Sequence, residues 1–472
     1  VKSQKTKIVC TIGPATRSAA TIRALVRAGM DVARLNFSHG TPDEHAEVLD
    51  RVRAASKRLG VPVAVLQDLS GPKVRLGEVR DGACVLKPRR TVVLTTENVV
   101  GDEQCLSVSY KRLAAEVRPR QPILINDGAV RLSVVETDGT RVTCRVVAGG
   151  TVSSRKGVNL PRTTLSVGSL TTKDRGDAAW GLEHDVDFFA LSFVRTADDV
   201  KALRSIITKA DKATPIIAKI EKREALRNLD EILEAADGLM VARGDLGVEI
   251  NLADVPAAQQ RIIAACNRRG KPVITATQML ESMVTNARPT RAEVTDVSHA
   301  ILEGTDAVML SQETAVGEHP KAAVQMMAAI ADRTERRFAP LVDEPIRTGS
   351  DKDAVADGLC HAVAMIAHTT RLDAIVACTT SGATARFIAR YRPRIPVYAV
   401  SPDPTTVREL CLAWGVQPIE TVRYKTVETM VAKTIDLLRA RRCLKAGDRV
   451  ALLAGLPIAE AGVTNLLRII DV

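Results

Sequence analysis

Strand-length runs of apolar and β-branched residues alternate with amphipathic stretches at the start of the chain. The runs at 7–13, 31–37 and 63–68 predict buried strands. Between them, 16–28 and 42–59 place apolar residues near helical spacing, and Gly29 and Gly60 follow where helix C-terminal glycines belong. From about Gly71 to Gly168 the pattern changes to Val-, Thr- and Leu-rich strands broken by Gly, Pro and Asp-Gly pairs. The pairs at 81–82, 127–128 and 138–139 predict three hairpins in a separate all-β unit, with one short helix near 110–116. The alternation then resumes, with strand runs at 186–193, 215–220, 237–242, 272–276 and 306–310. Three strands before the insertion and five after it make eight. The flanking lengths approach the roughly 250 residues of a (β/α)8 TIM barrel. An open doubly wound sheet is the alternative. After about Ala339 a helix at 351–368 and strands at 373–378, 396–400, 416–420 and 449–454 predict a C-terminal α/β domain with a mostly parallel sheet. The expected organisation is a barrel from 1–70 and 169–338, an inserted all-β domain at 71–168 and a C-terminal domain at 339–472.

Charge narrows the partners. The 472 residues carry 66 Lys+Arg against 55 Asp+Glu, a formal net charge of +11. Such a balance suits nucleic acid, an anionic membrane or small anions. The aromatic complement, 2 Trp, 4 Tyr and 6 Phe, is poor material for base stacking, and no run of five Lys/Arg exists. A small anionic substrate is therefore expected, and no nucleic acid. The nine Cys include no C-x-x-C pair and read as reduced core residues, which places the expected location in the cytoplasm. No signal-peptide core and no stretch of 18 apolar residues is visible, so no membrane association is expected.

In α/β barrels the chemistry sits at the C-terminal ends of the strands. Those ends are polar on almost every predicted strand: Thr11; Arg34 to His39; Asp68; Ser192 and Arg195; Lys219 to Glu221; Arg243 to Asp245; Thr277; Ser311 to Thr314. The period of two puts Lys219 and Glu221 on one side of their strand, and aims Arg34, Asn36 and Ser38 one way. The carboxylates Asp68, Glu221 and Asp245 suit Mg2+, which takes a few protein oxygens beside substrate phosphates. Arg34 and Lys219 suit a phosphoryl group whose charge must be stabilised. Walker A, G-x-G-x-x-G, H-E-x-x-H and G-x-S-x-G patterns are absent. The residues alone thus point to a Mg2+-dependent barrel enzyme acting on a phosphorylated or carboxylated small anion, with the reaction open.

The same segments resemble the pyruvate kinase family. The matching stretches are TKIVCTIGPA at 6–15, GMDVARLNFSHG at 29–40, AKIE at 218–221, DGLMVARGDLGVEI at 237–250, KPVITATQMLESM at 271–283, RPTRAEVTD at 288–296 and MLSQET at 309–314. The resemblance implies phosphoryl transfer from phosphoenolpyruvate to ADP, giving pyruvate and ATP, with Mg2+ or Mn2+ and in a homotetramer. It implies that Lys219 stabilises the phosphoryl group in flight and Arg34 binds it. Glu221 and Asp245 hold the divalent ion, and the Gly244 and Asp245 N–H groups receive the substrate carboxylate. Thr277 stands near the enolate and gives a proton or orients a water. His39, Arg75, Lys173 and Asn36 contact the nucleotide or its metal, while Ser311 and Glu313 support the site without touching substrate. The inserted domain closes as a lid on hinges at Gly71-Pro72 and near Gly168. The competing readings are another Mg2+-dependent enolpyruvate-type barrel lyase and a non-catalytic ligand-sensing relative.

Two departures from the family pattern matter. Many members hold K+ with residues equivalent to Asn36, Ser38, Asp68 and the Leu69 carbonyl, beside a glutamate; here Lys73 takes that glutamate's place. Its ammonium can supply the missing charge, so K+ is not expected to be required. The loop Thr379, Thr380, Ser381, Gly382, Thr384 resembles the family's effector-phosphate loop. The loop that carries a second phosphate-binding arginine in bisphosphate-activated members reads GLPIAE at 455–460 and has no cation. A monophosphorylated effector, a sugar monophosphate or AMP, is therefore expected.

Overall fold

The computed structural model describes residues 4–163, 165–337, 351–458 and 464–472, without the side chains of 351–353. Eight parallel strands close into a barrel: Lys7–Thr11, Val32–Asn36, Ala64–Asp68, Phe188–Leu191, Ile216–Ile220, Gly238–Ala242, Val273–Ala276 and Ala307–Leu310. The first pairs with both the second and the eighth, which excludes the open doubly wound sheet. Helices between the strands start and stop on local signals. The helix Pro42–Leu59 has Thr41 and Glu44 in a reciprocal capping box, Pro42 at its first turn and Gly60 in the left-handed region behind it.

The strand alternation builds two shells. Ile8, Cys10, Ala33, Leu35, Ala218 and Ile220 face outward into the layer between strands and helices. Val9, Val32, Leu66, Ile217, Met240 and Ile274 fill the barrel interior. Cys411 and Leu412, from the C-terminal unit, belong to that inner cluster. At the same junction the buried Arg392 donates to Asp306 Oδ1 at 2.9 Å and Gly304 O at 2.7 Å, with its guanidinium 4.9 Å from the centre of the Trp414 ring.

The insertion has its own apolar cluster, including Leu94, Leu106, Ile123 and Val142. Two of the three expected hairpins form, Pro122–Ile125 with Val130–Thr137 and Val130–Thr137 with Arg141–Ala148. Asp81-Gly82 is a correction. It lies in a short 3-10 turn, and the strand behind it, Ala83–Leu86, pairs with the distant Gly150–Ser153. The C-terminal sheet runs in the order Val416–Glu420, Val397–Ser401, Ala374–Cys378, Arg449–Ala454, Leu466–Asp471. Its last strand, antiparallel to its neighbour, was not predicted. The expected domain boundary at Ala339, and Ala459 and Glu460 of the C-terminal loop, lie outside the described residues. Among the described residues no helix is long and apolar enough to cross a membrane.

Candidate active site

The inward positions that are apolar in the barrel interior become charged one step nearer the mouth. Val32 gives way to Arg34, Leu66 to Asp68 and Ile217 to Lys219, each two residues on and so on the same side. Register then brings them together, since Arg34 pairs with Leu66 and Asn36 with Asp68 across adjacent strands. The result is a buried network. Asp68 Oδ2 accepts from Arg34 Nε and Nη2, both at 2.7 Å, and Arg34 Nη1 donates to Thr11 Oγ1 at 2.9 Å. Lys219 Nζ lies 3.2 Å from Asp68 Oδ1, 2.9 Å from Glu221 Oε1 and 2.8 Å from Ser192 Oγ. Ser192 in turn donates to the Leu69 carbonyl at 2.7 Å.

The electrostatics follow from this packing. Burial works against the Asp68 carboxylate, but Lys219 and Arg34 more than offset it and hold its pKa at about 2. Burial likewise opposes the Lys219 ammonium, yet Asp68 and Glu221 leave its pKa above the ordinary lysine value. Glu221 is the strained partner. Burial raises its pKa, and Asp245 adds to the rise by repulsion, against the pull of Lys219. Its second oxygen accepts the Phe193 N–H at 2.8 Å. Two carboxylates that repel each other, Glu221 and Asp245, fit a divalent ion. Among the described residues no group of three or more His, Cys, Asp or Glu could hold a metal alone. An ion of the Mg2+ kind takes few protein oxygens and completes its shell with water and substrate oxygens.

Thr277 carries a local oddity. It is β-branched, yet sits at φ +70°, followed by Gln278 at +55°. The guanidinium of Arg243 donates to both carbonyls, at 2.8 Å to Thr277 and 3.2 Å to Gln278, and to Asp296 Oδ1 at 2.7 Å. Thr277 Oγ1 accepts the Gly244 N–H at 2.8 Å. The N–H assigned to the substrate carboxylate is thus bonded to the threonine assigned to the enolate.

Around the rim, Asn36 Oδ1 accepts the Ser38 N–H at 3.2 Å, and Lys73 Nζ donates to Ser38 Oγ at 3.0 Å. Lys173 donates to the Phe37 carbonyl at 2.8 Å and to Asp177 at 2.6 Å. His39 is exposed; partial burial and then Lys73, Arg75 and Arg34 lower its pKa, so these cations converge on one edge. A cavity of about 220 Å3 separates the β insertion from the barrel mouth, with Lys73, Arg75 and Asp127 on one wall and Phe193, Asp245 and Glu249 on the other. Glu313 accepts the Leu280 and Ser311 N–H groups and is buried, a brace for the loop behind the seventh strand. Gly71, at φ +66°, packs so closely that an added Cβ would meet the Phe193 ring at 2.5 Å; its N–H donates to Asp174 at 3.0 Å.

Several site residues escaped the sequence reading. Ser192 and Arg243 appeared as polar strand ends with no role, and Asp127 only as a turn residue. In the C-terminal unit, Thr379, Thr380, Ser381 and Thr384 line a cavity of about 910 Å3. Gly382 is buried, and its N–H donates to Thr379 Oγ1 at 2.9 Å. Thr384 Oγ1 is 2.6 Å from Thr464 Oγ1. Arg423 and Lys425, from a loop the sequence reading passed over, line the same cavity.

Comparison with known proteins bears on all of this. Residues 3–324 match the family described as pyruvate kinase, barrel domain, and residues 357–470 match pyruvate kinase, alpha/beta domain. The chain is 44% identical over 470 residues to pyruvate kinase 2 of Synechocystis sp., covering 99% of this chain and 79% of that protein. It is also 44% identical over 469 residues to the pyruvate kinase of Geobacillus stearothermophilus, covering 99% and 80%. A crystal structure of a pyruvate kinase from Cryptosporidium parvum superposes with a TM-score of 0.92 at 35% identity, covering 99% of this chain and 96% of the other. The chain therefore belongs to the pyruvate kinase family and is a phosphotransferase acting between phosphoenolpyruvate and ADP, with pyruvate and ATP as products.

Proposed function

We propose that the network on Asp68, Lys219 and Glu221 is the phosphoryl-transfer centre. The observation that carries this reading is a buried ammonium held by two carboxylates and a hydroxyl at the C-terminal rim of the barrel. An ADP phosphate oxygen forms the new bond to phosphorus as the bond to the enol oxygen breaks, leaving the enolate of pyruvate. Lys219 and Arg34 meet the charge on the transferring group. Gly244 and Asp245 orient the substrate carboxylate by their N–H groups. A proton then reaches the enolate carbon beside Thr277, from its hydroxyl or a water it orients. Glu221 and Asp245 would hold Mg2+ or Mn2+, which supplies charge neutralisation to substrate oxygens when bound. Asn36, His39, Arg75 and Lys173 take the nucleotide side.

We read 71–168 as a lid hinged at Gly71-Pro72 and near Gly168, the barrel as 1–70 with 169–338, and 339–472 as the regulatory domain. Closure excludes water, so transfer is not lost to hydrolysis. A cytoplasmic homotetramer is the expected form, and a light-scattering mass of four chains checks the assembly.

The contact of Lys73 with Ser38 supports the reading that this ammonium stands in for K+ beside Asn36, Ser38, Asp68 and the Leu69 carbonyl. Pyruvate formation from phosphoenolpyruvate, ADP and Mg2+ is expected to proceed in buffer free of K+ and Na+. Lys73→Glu should create a K+ requirement. Negligible turnover of the unaltered enzyme that K+ restores would reject this assignment.

The loop carrying Thr379, Thr380, Ser381, Gly382 and Thr384 is read as the effector-phosphate site, for a sugar monophosphate or AMP. Arg423 and Lys425 on the same cavity make a bisphosphate the decisive comparison. Activation at lower concentration by fructose 1,6-bisphosphate than by any monophosphate would refute the one-phosphate reading.

A further inference from the structure

A second cleft between the β insertion and the barrel, of about 770 Å3, is lined by six arginines. Arg120, Arg131 and Arg162 come from the insertion, and Arg223, Arg227 and Arg261 from the barrel's helical layer. All six are exposed. Among the described residues none of them enters an ion pair, although other arginines of the insertion do. Arg80 pairs with Asp102, Arg112 with Glu116, Arg141 with Glu97 and Arg155 with Glu78. The cleft offers little to neutralise the six. Glu249 is already bonded to Lys222 at 2.5 Å, which leaves Asp254 as the other carboxylate on the wall.

Folding does not account for this arrangement, because like charges facing across a gap repel. Arginine's planar fork matches phosphate oxygens in pairs. The volume falls within the roughly 300–1,000 Å3 of small-ligand pockets. No aromatic side chain lines the cleft, so it lacks the stacking surface of a single-strand binder. We infer that this cleft binds a small, multiply phosphorylated anion that bridges the insertion and the barrel. Glu249 lines both this cleft and the catalytic mouth, so the ligand would sit one side chain away from the reacting groups.

Calorimetric titration of the full chain with inorganic tripolyphosphate tests the inference. ADP is kept saturating so that the catalytic site is filled. A saturating sugar monophosphate occupies the effector-phosphate loop, and one further binding event per chain is expected. Arg120→Gln combined with Arg223→Gln, one from each wall, should weaken it about tenfold or more, the loss of charged hydrogen bonds. Arg58→Gln combined with Arg371→Gln removes the same charge from remote surface and should leave it unchanged. Unaltered affinity in the cleft variant, or an equal loss in the remote one, overturns the proposal. A single-stranded oligonucleotide that binds the cleft more tightly than tripolyphosphate overturns the assignment to a small ligand.

Discussion

Lys219→Met is expected to lower kcat by about 10³-fold, the scale on which removing one preformed charge stabiliser from a transition state is felt. The replacement keeps the length of the side chain and deletes its charge. It also leaves Asp68 and Glu221 without the ammonium that lies 3.2 and 2.9 Å from them. Asp68 should then titrate above its present pKa of about 2. Two readouts separate chemistry from folding: kcat with phosphoenolpyruvate and ADP at saturating Mg2+, and thermal unfolding of the same preparation. Near-normal turnover in a folded variant would overturn the mechanism.

Glu221→Gln should raise the Mg2+ concentration for half-maximal rate by about 10- to 100-fold, a typical loss when a metal's surroundings are disturbed. The amide keeps an oxygen for the Phe193 N–H but no longer balances Lys219 or faces Asp245 as a second negative charge. Burial and Asp245 hold the Glu221 pKa above the ordinary glutamate value. In the unaltered enzyme, falling pH should therefore protonate this carboxyl before an exposed one and weaken metal saturation first. The measurement is rate against Mg2+ concentration for both proteins. An unchanged half-saturation point in the variant would remove Glu221 from the metal site.

Much of the barrel was legible because its signals are local. A strand buried on both faces needs a run of apolar residues, and the period of two decides which side a residue faces. Val32 followed by Arg34, and Ile217 followed by Lys219, already place a charge above an apolar plug. The glycine stop at Gly60 is equally local. The third hairpin failed because an Asp-Gly turn says that the chain bends, not which strand it meets. Ala83–Leu86 found its partner more than sixty residues on.

Residue order alone gave away the strand count, the chemical side of the second and fifth barrel strands, the segments shared with the family and the surplus of positive charge. Only the tertiary structure decided where those charges stand. Barrel closure brings Arg34, Asp68, Ser192 and Lys219 into one network, although Asp68 and Lys219 are 151 positions apart. Packing of the insertion over the barrel carries Asp127 into the mouth and sets Arg120 opposite Arg223 in a cleft. The bonds from Arg243 brace Thr277 in its left-handed conformation. The physical reason is the same in each case. Periodicity reports the face a residue occupies, whereas the neighbour across that face depends on how distant segments pack.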